Sequence, residues 1–84
     1  MSLDEDFESA QTRVNSLSAA PSQGKMLELY GLFKQAKLGD VSGKKPGMLD
    51  IKGRAKYEAW AARRGTSKED AMRAYIALVD SLAG

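Results

Sequence analysis

Apolar residues recur along the chain at helical spacing, and no segment alternates as a strand would. Leu3, Phe7, Ala10, Val14 and Leu17 advance by steps of four, three, four and three, which puts them on one helix face. Ser2 and Glu5 are placed as a capping box at its start, the acidic run Asp4, Glu5, Asp6 and Glu8 suits that end of the helix dipole, and Pro21 stops it. Ser22 is set to cap a second helix reaching about Leu38, with Gly39 and Asp40 ending it. Its apolar face is broad: Met26, Leu29, Tyr30, Leu32, Phe33 and Ala36, with Lys34 one turn beyond Tyr30 at the edge.

Val41 to Met48 holds Ser42, Gly43, Pro46 and Gly47 and reads as a short ordered loop. A third helix is predicted from about Asp50 to Arg64, closed by Gly65. It carries a small-residue stripe of Ala55, Ala59 and Ala62, the ring pair Tyr57 and Trp60, and the lysine pair Lys52 and Lys56. Thr66 and Glu69 suit a capping box for a last helix with Ala71, Met72, Tyr75, Ile76, Leu78, Val79 and Leu82 on its apolar face. Four helices with short connections predict an all-α bundle, in an order that periodicity does not give.

Length and composition narrow the chemistry. The 84 residues suit a single domain spanning 1–84, because a chain this short buries only roughly 60 to 65% of its unfolded surface and cannot split that between two cores. Absent cysteine removes disulfides and thiolate metal ligands, and absent histidine removes the commonest general base. The expectation is a protein with no catalytic residues, no metal site and no cofactor. An acidic start and no apolar run near the ~18 residues of a membrane span suggest a cytoplasmic protein without stable membrane insertion.

Charge is unevenly spread. Residues 1–33 carry two basic and five acidic side chains, residues 34–64 nine and three, and residues 65–84 two and three. The middle third is where an anion would bind. Tyr30, Phe33 and Lys34 on the second helix, with Lys52, Lys56 and Tyr57 on the third, offer rings for stacking and ammonium groups for phosphate, a combination that suits a nucleotide. The plainer alternative is core rings beside a solvated lysine face. A module acting on protein or nucleic acid is the competing function, although no helix is basic along its length.

The string YGLFKQAKLGD, Tyr30 to Asp40, resembles the pattern of the acyl-CoA-binding proteins, also called diazepam-binding inhibitors: tyrosine, two residues, an aromatic, Lys-Gln-Ala, two residues, Gly-Asp. KKPGMLDIKGRAKYEAW, Lys44 to Trp60, is similar to that family's loop and third helix, and GTSKEDAMRAYI, Gly65 to Ile76, to its fourth-helix start. The resemblance covers essentially the whole chain. It implies an up-down-down-up four-helix bundle that holds one medium- to long-chain acyl-CoA as intracellular carrier, buffer and pool former, without chemistry. Carried over, Tyr30 and Lys34 contact the ribose 3′-phosphate and adenine, Lys56 pairs with that same phosphate, and Phe33 stacks on the base. Gly31 and Leu32 lie in the same ligand-contacting stretch, Lys52 flanks it, and Tyr75 lines the site from the last helix. Met26 and Leu27, with Leu29, line the acyl groove. Asn15 stands at a position that is often basic and near the ligand, Phe33 where the family often has tyrosine, and Tyr57 where tryptophan is usual. Expected partners are acyl-CoA and, transiently, enzymes that use it; no nucleic acid is expected, and the state is expected to be a monomer.

Overall fold

A computed structural model describes residues 2–83; Met1 and Gly84, the ends of the expected domain, lie outside the described residues. Among those described, four helices and no strand form: α1 (Leu3–Asn15), α2 (Gln23–Leu38), α3 (Ile51–Ala61) and α4 (Lys68–Ala83). The expected caps of α1 and α2 are present. Ser2 Oγ accepts from the Glu5 N–H at 3.1 Å while Glu5 Oε1 accepts from the Ser2 N–H at 3.0 Å, and Ser22 Oγ accepts from the Lys25 N–H at 3.2 Å.

Three boundaries differ from the sequence reading. Helix α1 stops at Asn15, short of Leu17, where the Ser16 N–H turns back to the Arg13 carbonyl. Helix α3 stops at Ala61, and the chain reaches Gly65 through tighter turns in which Arg63 and Arg64 donate to Trp60 and Ala61. The last cap is Ser67 with Asp70, not Thr66 with Glu69: Ser67 Oγ accepts from the Asp70 N–H at 3.0 Å. Thr66 is engaged elsewhere, its carbonyl accepting from Gln35 Nε2 at 2.7 Å, so the helix begins one residue later.

Contacts fix the helix directions. Phe7 meets Tyr75 and Arg13 meets Asp80, so α1 and α4 run parallel. Tyr30 lies by Lys56, Gly31 by Ala59 and Gly39 by Trp60, so α2 and α3 are parallel too. Gln35, late in α2, reaches Thr66, just before α4, which makes these two antiparallel. The result is the up-down-down-up bundle. Helix α4 packs on both α1 and α2, and α3 packs on α2 alone. Phe7, Ala10, Leu29, Leu32, Ala36, Ala71, Tyr75 and Val79 form the core.

The breadth of the α2 face now has a cause, because this helix packs on two sides. Leu29, Leu32 and Ala36 are buried in the core, while Gly31 meets α3 so closely that a Cβ there would strike the Ala59 carbonyl. At the end of α2, Gln35 is fully buried and its amide donates to Thr66 O and, at 2.9 Å, to Asp40 Oδ1. Asp40 Oδ1 also accepts from the Gly65 N–H at 2.8 Å, and Trp60 Nε1 donates to Gly39 O at 2.8 Å. This knot ties α2 to the α3–α4 turn. Gly65 adopts φ +91°, a left-handed conformation that a side chain would strain.

Two predictions follow from this packing. Gly31→Ala gains helix propensity but forces two backbones apart, for a net loss of about 1 to 3 kcal/mol, read as a lower urea midpoint at unchanged slope. The second concerns acid. The Gly65 N–H, then the Gln35 amide, hold the Asp40 carboxyl below its ordinary value of 3.8. Its contribution is therefore present above that value and lost as pH falls through the lower folded value. Asp40→Asn should flatten the acid limb of a stability–pH profile below pH 3.8, measured by urea melts. Glu5, held low by its hydrogen bonds with Ser2, leaves a residual slope that Glu5→Gln should remove.

Candidate functional site

Helix α2 is the wall between two openings. On one side Val14, Asn15 and Pro21 from the α1 end, Met26, Leu29, Tyr30 and Phe33 from α2, and Tyr75 from α4 enclose about 240 Å³. On the other, Gln23, Met26, Leu27 and Tyr30 face Ile51, Lys52, Ala55 and Lys56 across a groove of about 440 Å³. Met26 and Tyr30 belong to both walls, so the two spaces adjoin along α2.

The first space exists because α1 and α2 both lean on α4 without a close backbone approach to each other. Its rings are fixed from behind. Phe33 stacks on Phe7 at 6.1 Å between centroids, and Phe7 meets Tyr75 edge-on at 5.1 Å. Tyr75 is buried, and loss of solvent pushes its phenol pKa up, so the hydroxyl stays neutral.

The two central lysines converge on one ring. Lys34 Nζ lies 5.8 Å from the Tyr30 centroid, and Lys56 Nζ, coming from α3, lies 5.5 Å from it. Lys34 also sits 5.4 Å from the Trp60 centroid. Neither ammonium forms an ion pair among the described residues; aromatic faces stand where carboxylates would. Two uncompensated cations beside an aromatic cavity and an apolar groove can take a ligand with phosphate, planar ring and aliphatic chain.

The structure therefore brings Tyr30, Phe33, Lys34, Lys56, Tyr75, Asn15 and Met26 around one continuous surface, and Leu27 and Lys52 onto the groove wall. Gly31 and Leu32 are placed differently. Gly31 is buried beneath the α3 backbone and Leu32 is 4% exposed in the core, so they set the position of their neighbours. Trp60, Val14, Pro21 and Ile51 line or back the site, although the pattern along the chain assigned them only structural roles or none. For Trp60 a signal was present: it shares a face with Lys52 and Lys56 at one-turn spacing.

A family model described as "Acyl CoA binding protein" matches residues 4–79. The chain is 53% identical over 83 residues to an acyl-CoA-binding protein homolog of Manduca sexta, covering 98% of this chain and 92% of that one. It is 48% identical over 80 residues to the Drosophila melanogaster homolog, covering 95% and 93%. The fold is similar to the crystal structure of Oryza sativa Acyl-CoA-Binding Protein 2, with a TM-score of 0.92 at 42% identity, covering 96% and 90%.

The lysine placement can be checked without ligand. Lys34→Ala removes the ammonium from the Trp60 face and should change the emission of this single indole. Lys56→Ala should leave emission as it was, since that ammonium lies over Tyr30. Equal responses in the two variants contradict the geometry.

Proposed function

The chain belongs to the acyl-CoA-binding protein family, and from that premise we propose that it binds medium- to long-chain acyl-CoA esters and serves as an intracellular carrier, buffer and pool former, without catalysis. Acyl-CoA binding is the family's activity. The observation that carries the reading to this chain is the convergence of Lys34 and Lys56 on Tyr30 between two adjoining openings.

In this reading the 3′-phosphate sits between the two ammonium groups, adenine lies against Phe33 in the aromatic cavity, and the acyl chain runs along the groove of Met26, Leu27 and Ile51. The division of labour is physical. Burial of ~10 methylenes offers on the order of 8 kcal/mol before ordering costs, and charge-assisted phosphate bonds add selectivity for the nucleotide. No step needs a general base, in keeping with a chain that has neither histidine nor cysteine. A cytoplasmic monomer that meets acyl-CoA-using enzymes transiently is the setting proposed. The helical module for protein or nucleic acid is not favoured.

Titration with palmitoyl-CoA, followed by calorimetry, tests the binding itself; affinity should rise with each added methylene until the groove is filled. Free thiol should not appear above the spontaneous rate, and turnover scaling with protein would refute the carrier. The phosphate assignment is tested by a cycle. Lys56→Ala should cost about 1.5 to 3 kcal/mol with palmitoyl-CoA, roughly ten- to a hundredfold, against about 0 to 1 kcal/mol for an ordinary exposed pair. With the dephospho-CoA ester it should cost little more, because both changes remove one contact. Independent addition of the two losses would place Lys56 elsewhere.

A further inference from the structure

One apolar surface is left unused by the bundle. Met48, Leu49 and Ile51 at the entry to α3 are 84%, 99% and 78% exposed. Asp50 between them is occupied, its carboxylate accepting from the Gly53 N–H at 3.0 Å. The turn is built, not slack: the Asp50 N–H donates to Gly47 O at 3.0 Å, and Arg54 Nη1 donates to Pro46 O at 3.2 Å. Ile51 and the 55%-exposed Met26 also belong to the groove wall, so the patch continues into the groove opening. Uncovered aliphatic side chains held together in this way mark an interaction surface.

Charge says what kind. From Lys44 to Lys56 the chain carries five basic residues against one acidic, and Lys44 and Lys52 form no ion pair among the described residues. At the other end of the bundle the charges are mixed: Asp4, Glu5 and Asp6 of α1 and Glu69 and Asp70 of α4 lie there with Lys37 at the end of α2, Arg63 and Arg64 in the turn after α3, and Lys68. An anionic surface thus attracts the patch end more strongly than the opposite one, which favours one orientation before contact. The patch has no aromatic or arginine anchor of the kind that fills a protein pocket. Aliphatics flanked by lysines suit a surface without fixed shape, the anionic lipid interface.

We propose that Met48, Leu49 and Ile51, flanked by Lys44 and Lys52, dock the protein reversibly on anionic bilayers with the groove opening against the lipid. The inference rests on the carrier reading: a ligand with a long acyl chain partitions into bilayers, and a carrier collects and returns it at their surface. Contact is peripheral, since no helix is long and apolar enough to cross a membrane.

The test is sedimentation of the full chain with phosphatidylcholine vesicles, with and without phosphatidylserine. Binding should need phosphatidylserine and weaken as salt rises. Leu49→Asp should lower vesicle partitioning about tenfold or more, and Lys44→Glu should reduce it further. Leu49 is almost wholly exposed and off the groove wall, so Leu49→Asp should keep palmitoyl-CoA affinity in lipid-free buffer within about twofold. That calorimetric arm separates the two readings: lost affinity for palmitoyl-CoA in the unmodified protein sinks the carrier, not the docking surface. Absent vesicle binding, equal binding with and without phosphatidylserine, or equal binding by Leu49→Asp overturns the docking proposal. A concentration-dependent dimer that Leu49→Asp abolishes would overturn it too, by assigning the patch to a second copy.

Discussion

With no side chain at Gly31, the backbones of α2 and α3 close on each other at Ala59, and the flanking faces take their spacing from that contact. Parallel helices in this register set Tyr30 beside Lys56 one turn earlier and bring Trp60 beneath Lys34 on the other flank. A larger residue would spread the pair and the lysines with it. A glycine inside a helix costs about 1 kcal/mol in propensity relative to alanine, and here that cost is offset by an approach no other residue permits.

The lysines show how a site can keep charge available. A carboxylate partner would fix each ammonium but would also compete with an incoming phosphate. Aromatic faces hold a cation by about 0.5 to 2 kcal/mol and leave its charge uncancelled. The carboxylates nearby in sequence are otherwise engaged, Glu58 with Lys45, Asp50 with the start of α3, and Asp40 with Gly65 and Gln35. Lys34 and Lys56 thus keep their charge uncancelled where the two openings meet.

The knot at the far end of α2 has the complementary task. Gln35 is fully buried, and donating to both Thr66 and Asp40 offsets part of the cost of burying its amide, while its Oε1 finds no partner among the described residues. Trp60 closes the knot from α3 through Gly39, and its ring face meets Lys34. One indole therefore links the end that holds the helices together to the cation beside Tyr30.

Periodicity and caps alone determined that the chain is four helices, because side-chain spacing and the unpaired N–H groups of a helix start are local matters, and Ser2, Ser22 and Gly39 fall where they act. The motif string carried the family, and with it the helix order, and most of the residues it named line the two openings. What stayed illegible was everything set by contact between distant segments. Thr66 looked like a cap until Gln35 claimed its carbonyl. Gly31 and Leu32 sat inside the motif yet face the interior, since a string does not say which side of a helix meets a neighbour. The exposure of Leu49 and the convergence of Lys34 and Lys56 depend likewise on which helices touch, and only the tertiary structure decides that.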